Sequence, residues 1–374
     1  MRLSSVSIKA LLCALCVAAA ACSPGAVGAQ DKPFSVTEVA RFKEPWAMAF
    51  LADGRALITE KAGQLILWDG KSKSGVAVLG APKVSYGGQG GFGDVVLHPQ
   101  FVQNGLIYLS WAEEGPGGQG AAVGRAKLVE VGGSARLEGL SIIWRQSPKV
   151  SGRGHYGHRI AFGADGKMYI ASGERQKFDP AQDVNANLGK IIRLNDDGSI
   201  PSDNPQASEG GVTAQIWSLG HRNPLGLAFA PDGLLWATEM GPAGGDELNL
   251  IVPRKNYGYP KVSNGNHYDG RDIPDHKAGD GFEAPKLYWN PSISPAGMII
   301  YSGALFPAWT GDAFIAALGE QALVRIDING EKAAKAEVWP MDTRIRDVEQ
   351  GPDGAIWLLE DGDDGRLMRL VPKE

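Results

Sequence analysis

A turn ending in glycine, followed by a run of mostly apolar residues, recurs along the chain. It occurs as DGRALITE (53–60), NGLIYLS (104–110), DGKMYIA (165–171), DGLLWATE (232–239), TGDAFIA (310–316) and DGAIWLLE (353–360). Apolar and polar positions alternate with the period of two expected of strands, and the runs often close on a small or acidic residue. A second strand-like run follows several copies, as in QLILW (64–68), ALVRI (322–326) and RLMRL (366–370). Long helical periodicity is absent, which argues against an α/β barrel.

The six copies lie roughly 40–80 residues apart, too wide and uneven for a solenoid. The pattern predicts an all-β chain, a six-bladed β-propeller with four-stranded antiparallel blades carrying loops of different length. A two-sheet sandwich, or several small β domains, would also use short strands. The repeat, however, runs nearly end to end with no linker between copies. The most linker-like stretch, PSDNPQASEGG (201–211), sits inside one repeat interval and reads as a surface loop. Propellers gather their chemistry where loops meet at one mouth of the channel, so the longer stretches 150–225 and 239–300 are where function is expected.

Composition changes this picture little. Fifty-one glycines and 23 prolines in 374 residues suit short strands and tight turns. Lys+Arg 37 against Asp+Glu 42, with no basic stripe, excludes a nucleic-acid partner. The three cysteines, Cys13, Cys16 and Cys22, all lie near the N-terminus. Residues 30–374 therefore have no cysteine to ligate zinc or an iron–sulfur cluster, and no thiol nucleophile.

The start of the chain changes it more. Arg2 and Lys9 introduce the apolar run ALLCALCVAAAA (10–21), and Val27-Gly28-Ala29 forms a plausible cleavage site. Residues 1–29 are expected to be a secretory signal and 30–374 a single catalytic propeller domain, periplasmic or secreted. AAAC (19–22) is an alternative, lipobox-like end that would leave Cys22 lipidated, the one route to a membrane.

Five stretches could carry chemistry. SGRGHYGHRI (151–160) places two histidines among glycines, suited to a general base near neutral pH or to loop histidines bonded to carbonyls. LGHRNPLG (219–226) offers an arginine fork beside an amide, although Asn-Pro is also an ordinary turn starter. EMGPAGGDELNL (239–250), leading to NYGYP (256–260), supplies carboxylates and loop carbonyls, either hard oxygen ligands for Ca²⁺ or a solvated acidic turn. RIRDV (344–348), if extended, puts Arg344 and Arg346 on one face, with an anion between them or as a solvated strand end. GGQGGFG (87–93) holds Gln89 among glycines without the features of a phosphate loop.

Together these stretches resemble the soluble PQQ-dependent aldose/glucose sugar dehydrogenases (PQQ, pyrroloquinoline quinone), the glucose/sorbosone dehydrogenase-like family. The matching pieces are GQGGFGDVVLHPQF (88–101), GHYGHRI (154–160), LGKIIRLNDDGSIPSDNP (188–205), WSLGHRNPLGLAFAPDG (217–233), EMGPAGGDELNLI (239–251), NYGYP (256–260) and RIRDVEQGPDG (344–354), in family order over nearly the whole chain. The resemblance implies an oxidoreductase that takes the C1 hydroxyl of an aldose to the lactone. His155 would be the base, with Arg222 beside it. Gln89, His155, Arg222, Asn223, Arg344 and Arg346 would contact PQQ. The carbonyls of Gly241 and Pro242 would meet a Ca²⁺ bridging protein and PQQ. Glu247 and the carbonyl of Tyr257 would hold a second Ca²⁺, and Trp289 would wall the substrate. It further implies an external electron acceptor and a monomer or homodimer.

One position departs from the family. A lysine expected after the fifth repeat, to reach a cofactor carboxylate, is replaced by Gly319, next to Glu320. Arg175 is the candidate to compensate. Two other functions share much of this pattern: a calcium-dependent six-bladed sugar lactonase, which would centre its metal on several side-chain carboxylates, and a non-enzymatic propeller binding a partner or glycan.

Overall fold

The repeated Asp-Gly pairs are tight turns. In a computed structural model, Asp53, Asp165, Asp232 and Asp353 each accept at Oδ1 the backbone N–H two residues on, at 2.9–3.1 Å. The glycines that follow take φ of 88°, 73°, 87° and 83°, where a Cβ would be strained. The structure describes residues 32–373; the expected secretory segment 1–29 and Cys22 lie outside the described residues.

The strands leaving these turns are buried at every position in Ala56–Glu60, Met168–Ser172, Leu235–Glu239 and Ala313–Ala317. Strict inside–outside alternation is lost because both faces of each sheet are covered. The strands form four separate four-stranded antiparallel sheets and one eight-stranded sheet. The larger sheet joins two antiparallel runs of four, 45–79 and 92–145, through a parallel pairing of Val76–Leu79 with Ser134–Arg145. The fused pair departs from the expectation of uniformly separate blades. Its cause is the long hairpin strand Ser134–Arg145, which reaches past its own sheet to the edge of its neighbour.

Six strands of equal length begin the successive runs: Pro45–Phe50, Phe92–Leu97, Gly157–Phe162, Pro224–Phe229, Pro295–Ile300 and Ile345–Gln350. Each packs against the next, and the last packs against the first, closing a circuit. This is the radial arrangement of a β-propeller. The chain ends lock it, because Phe34–Phe42 pairs antiparallel with Gly365–Pro372 as the outermost strand of the last sheet.

Candidate active site

Each of the six inner strands carries a register irregularity at or near its first residue, for example between Pro45 and Ala47, Gly157 and Ile160, Pro224 and Gly226, and Ile345 and Asp347. An extra residue in one strand re-aims its side chain. The residues displaced there include Trp46, His158, Leu225 and Arg346, and all four line one cavity of about 520 Å³. The bulged ends thus define a mouth, while the Asp-Gly turns lie at the other ends of the strands.

The large cavity also takes Gln89, Asn223, Arg344, Asp361 and Lys61 into its wall. Of the residues expected to touch a cofactor, Gln89, Asn223, Arg344 and Arg346 meet here. The side chain of Gln89 accepts the backbone N–H of His155 at 2.7 Å, and that of Asn223 accepts the N–H of Gly157 at 3.2 Å. The anion expected between the two arginines is part of the chain. Asp361 accepts Nε of Arg344 at 2.8 Å and Nε and Nη2 of Arg346 at 2.9 and 2.6 Å. His158 lies under the same cavity, stacked on Tyr156 and edge-on to Trp46. Burial pushes it down to about 3, so it is neutral, and neither ring nitrogen has a partner.

A smaller cavity of about 230 Å³ holds His155, Glu174, Arg222, Pro242 and three aromatic side chains, Phe178, Tyr259 and Tyr268. His155 Nδ1 pairs with Glu174 at 2.5 Å, and among the described residues no group bonds Nε2. Burial holds His155 below its ordinary value, against the opposing pull of Glu174, so the ring is neutral at pH 7. Burial alone would raise Glu174; its bonds from His155 and from the backbone N–H of Phe178, at 2.7 Å, hold it low. An ionised Glu174 fixes the proton on Nδ1 and leaves Nε2 as a free base. The chain is strained around this pair: His155, Arg175, Gln176 and Phe178 all have φ between 50° and 63°.

Arg222 donates Nη1 to the carbonyl of Met240 at 3.0 Å, while its buried Nε has no hydrogen-bond partner among the described residues. Gly241 N–H is bound by Asp246 at 2.8 Å. A Cβ at Gly241 would stand 2.3 Å from two carbonyl oxygens, so the turn admits only glycine. Among the described residues the carbonyls of Gly241, Pro242 and Tyr257 accept no hydrogen bond. Glu247 lies across the strand pair from Glu239, and Asn249 Nδ2 bridges the two carboxylates at 3.0 Å each. Burial, then the charge of Glu239, pushes Glu247 well above its ordinary value. Among the described residues Asn249 Oδ1 has no hydrogen-bond partner, and His276 makes none either, its Nε2 standing 3.8 Å from Glu247 and its Nδ1 3.8 Å from Asp280. Carbonyl oxygens without hydrogen bonds and buried carboxylates are hard oxygen donors of the kind Ca²⁺ takes. Among the described residues no cluster of three or more His, Cys, Asp and Glu side chains is arranged for a metal.

Two residues lie away from both cavities. Trp289 lines neither cavity; it ends the short strand Leu287–Trp289 and packs in a core cluster with Trp236 and Leu248. The aromatic side chains beside His155 are instead Phe178, Tyr259 and Tyr268. Arg175 lines neither cavity: it is fully buried, stacked on Tyr156 at 3.8 Å, and bonded to the carbonyls of Gly154, Gln119 and Gly152. Sequence reading also passed over Glu174. Its signal is a carboxylate two residues beyond the end of the third repeat's strand, Met168–Ser172, at the mouth end.

A family model for glucose/sorbosone dehydrogenases matches residues 42–369. The chain belongs to the glucose/sorbosone dehydrogenase family. As a member of that family it is an oxidoreductase. It is 39% identical over 340 residues to the aldose sugar dehydrogenase YliI of Escherichia coli (strain K12), covering 89% of this chain and 91% of that protein. The crystal structure of the soluble aldose sugar dehydrogenase of Escherichia coli in its apo-form superposes with a TM-score of 0.86 at 39% identity, over 91% of this chain and 100% of that one. The PQQ-bound aldose sugar dehydrogenase of Streptomyces coelicolor gives 0.75 at 27% identity, over 91% and 98%.

Proposed function

We propose that the chain is a PQQ- and Ca²⁺-dependent dehydrogenase that oxidises the C1 hydroxyl of aldoses to lactones. The observation that carries this reading is the buried His155–Glu174 pair, its free Nε2 in a cavity beside a larger one walled by arginines. The larger cavity takes PQQ: Trp46, Leu225, Met240 and Leu318 suit its flat ring system, and Arg344, Arg346 and Asn223 suit its carboxylate and carbonyl oxygens. Gly241 and Pro242 hold one Ca²⁺ through their carbonyls, and Glu247 with Tyr257 a second.

The sugar occupies the smaller cavity. Its volume lies below the usual 300–1,000 Å³ of ligand pockets and suits a single ring. Phe178 and Tyr268 face that ring in place of Trp289. His155 Nε2 takes the C1 hydroxyl proton as the C1–H bond releases a hydride, so the hemiacetal carbon becomes the lactone carbonyl. Glu174 keeps the imidazole in the right tautomer and balances its charge as it becomes imidazolium. When bound, PQQ supplies the two-electron hydride acceptor, with Ca²⁺ polarising its quinone carbonyl. An external acceptor then removes the electrons.

Six blades follow if the two antiparallel runs of the eight-stranded sheet are counted separately, which the circuit of inner strands supports. The propeller spans residues 30–374, exported to the periplasm behind residues 1–29. The test is steady-state reduction of an artificial acceptor with an aldose panel, with and without PQQ and Ca²⁺. Activity should need both additions, and His155→Ala should lose about 10²–10⁴-fold. Activity without PQQ, or undiminished in that variant, would refute the reading.

A further inference from the structure

The proposed cofactor carries three carboxylates, and the position at which the family's lysine is expected offers no side chain. Gly319 donates its N–H to the carbonyl of Ile293 at 2.9 Å, and a Cβ there would stand 2.8 Å from Ser294 Oγ. Arg175 is spent on backbone carbonyls.

We propose that Lys61 supplies a further cation for the cofactor, from the wall formed by the first blade, in place of the side chain missing at Gly319. This rests on the PQQ reading above. Lys61 lines the large cavity with Gln89, Arg344 and Arg346. Its backbone is pinned on both sides, N–H to the carbonyl of Glu44 at 3.0 Å and carbonyl to the N–H of Phe92 at 2.9 Å. Gly91 abuts that carbonyl so closely that a Cβ would stand 2.2 Å away, which locks Lys61 beside the Gln89 loop.

The ammonium group is only loosely held, over the Tyr86 ring at 5.7 Å and paired with Glu44 without a hydrogen bond. Its nearest carboxylate, Glu44, stands at 3.8 Å, beyond hydrogen-bond distance, and Glu44 already accepts the Tyr86 hydroxyl at 2.5 Å. The two arginines, by contrast, are both engaged with Asp361. Charge makes the same point. The cavity wall holds three cations, Lys61, Arg344 and Arg346, against the carboxylates of Glu44, Asp361 and Asp363. Without Lys61 the wall would carry an excess of negative charge and repel a tricarboxylate.

The experiment is equilibrium binding of PQQ, in excess Ca²⁺, to the wild-type chain, K61M and K61R, read by quenching of tryptophan fluorescence. Thermal unfolding of the unliganded proteins is measured alongside. K61M should bind PQQ about ten- to a hundredfold more weakly, the loss of one charge-assisted bond. K61R should bind within a few-fold of wild type, and unfolding temperatures should match. K61R also reports the result if K61M unfolds early, since an arginine that fails to restore binding contradicts a charge role. Wild type that binds while K61M binds equally well overturns the Lys61 assignment and leaves the PQQ reading intact. Wild type that binds no PQQ overturns both.

Discussion

Two groups of arginines lie at the centre of the ring, and they are built differently. Arg159, at the floor, is closed on all sides. It binds Asp94 at 3.1 Å and Asp347 at 2.7 Å, donates Nε to the carbonyl of Leu225 at 2.7 Å, and stacks under Trp46 at 4.4 Å. Asp94 also accepts the N–H of Ile160, and Asp347 that of Met48. Gly297, from the fifth inner strand, comes so close that a Cβ would overlap Asp347. One guanidinium therefore touches, directly or through its carboxylates, all six inner strands.

At the mouth the ratio reverses. Arg344 and Arg346 share the single carboxylate of Asp361 and remain partly exposed, with Lys61 loosely paired nearby. A cation with a full set of buried partners is a fastener. Two partly exposed arginines that share one carboxylate at a cavity wall keep donors free for a further anion.

The largest expected effect comes from breaking the fastener. Arg159→Met would leave Asp94 and Asp347 buried without their counter-charge and should cost about 3–5 kcal/mol of stability, measured by denaturant unfolding. A loss no larger than that of a surface pair would erase the distinction between floor and mouth. Arg346→Ala should instead change stability by about 1 kcal/mol or less and weaken PQQ binding about tenfold or more. Fluorescence titration together with unfolding separates these outcomes, and a variant that unfolds early while binding normally would reverse the assignment.

A smaller and more diagnostic change is Glu174→Gln. Glu174 pulls the His155 pKa up against burial, so its removal should move the acid limb of kcat/KM to lower pH. Loss of the tautomer lock should also lower kcat/KM at pH 7 about tenfold. An acid limb that shifts upward or stays in place would show that Glu174 does not govern His155.

Much of this was legible along the chain. The Asp-Gly turns repeat because an aspartate that caps its own turn and a glycine at positive φ are local requirements, written in adjacent residues. His155, Arg222, Asn223, Arg344 and Arg346 could be singled out because each sits in a short motif. What could not be read depends on spatial closure. Asp94, Arg159 and Asp347 are far apart in sequence, and nothing local says that they meet. The motif calls for an anion between Arg344 and Arg346 without naming it, and Asp361 comes from the end of the next strand. Trp289 and Arg175 were misplaced for a related reason: a large aromatic or a cation near a motif carries no local mark of whether it faces a cavity or the core. The division of the mouth into two cavities likewise emerges only from the packing of the bulged strand ends.

The most direct test of the central claim is the reductive half-reaction. The chain loaded with PQQ and Ca²⁺ would be mixed rapidly with an aldose carrying either hydrogen or deuterium at C1, and bleaching of the bound quinone followed by absorbance. Proton removal by His155 coupled to hydride loss from C1 predicts bleaching that is slower with the deuterated sugar and lost in His155→Ala. Bound quinone left unreduced by every aldose, or bleached at the same rate in His155→Ala, would contradict it.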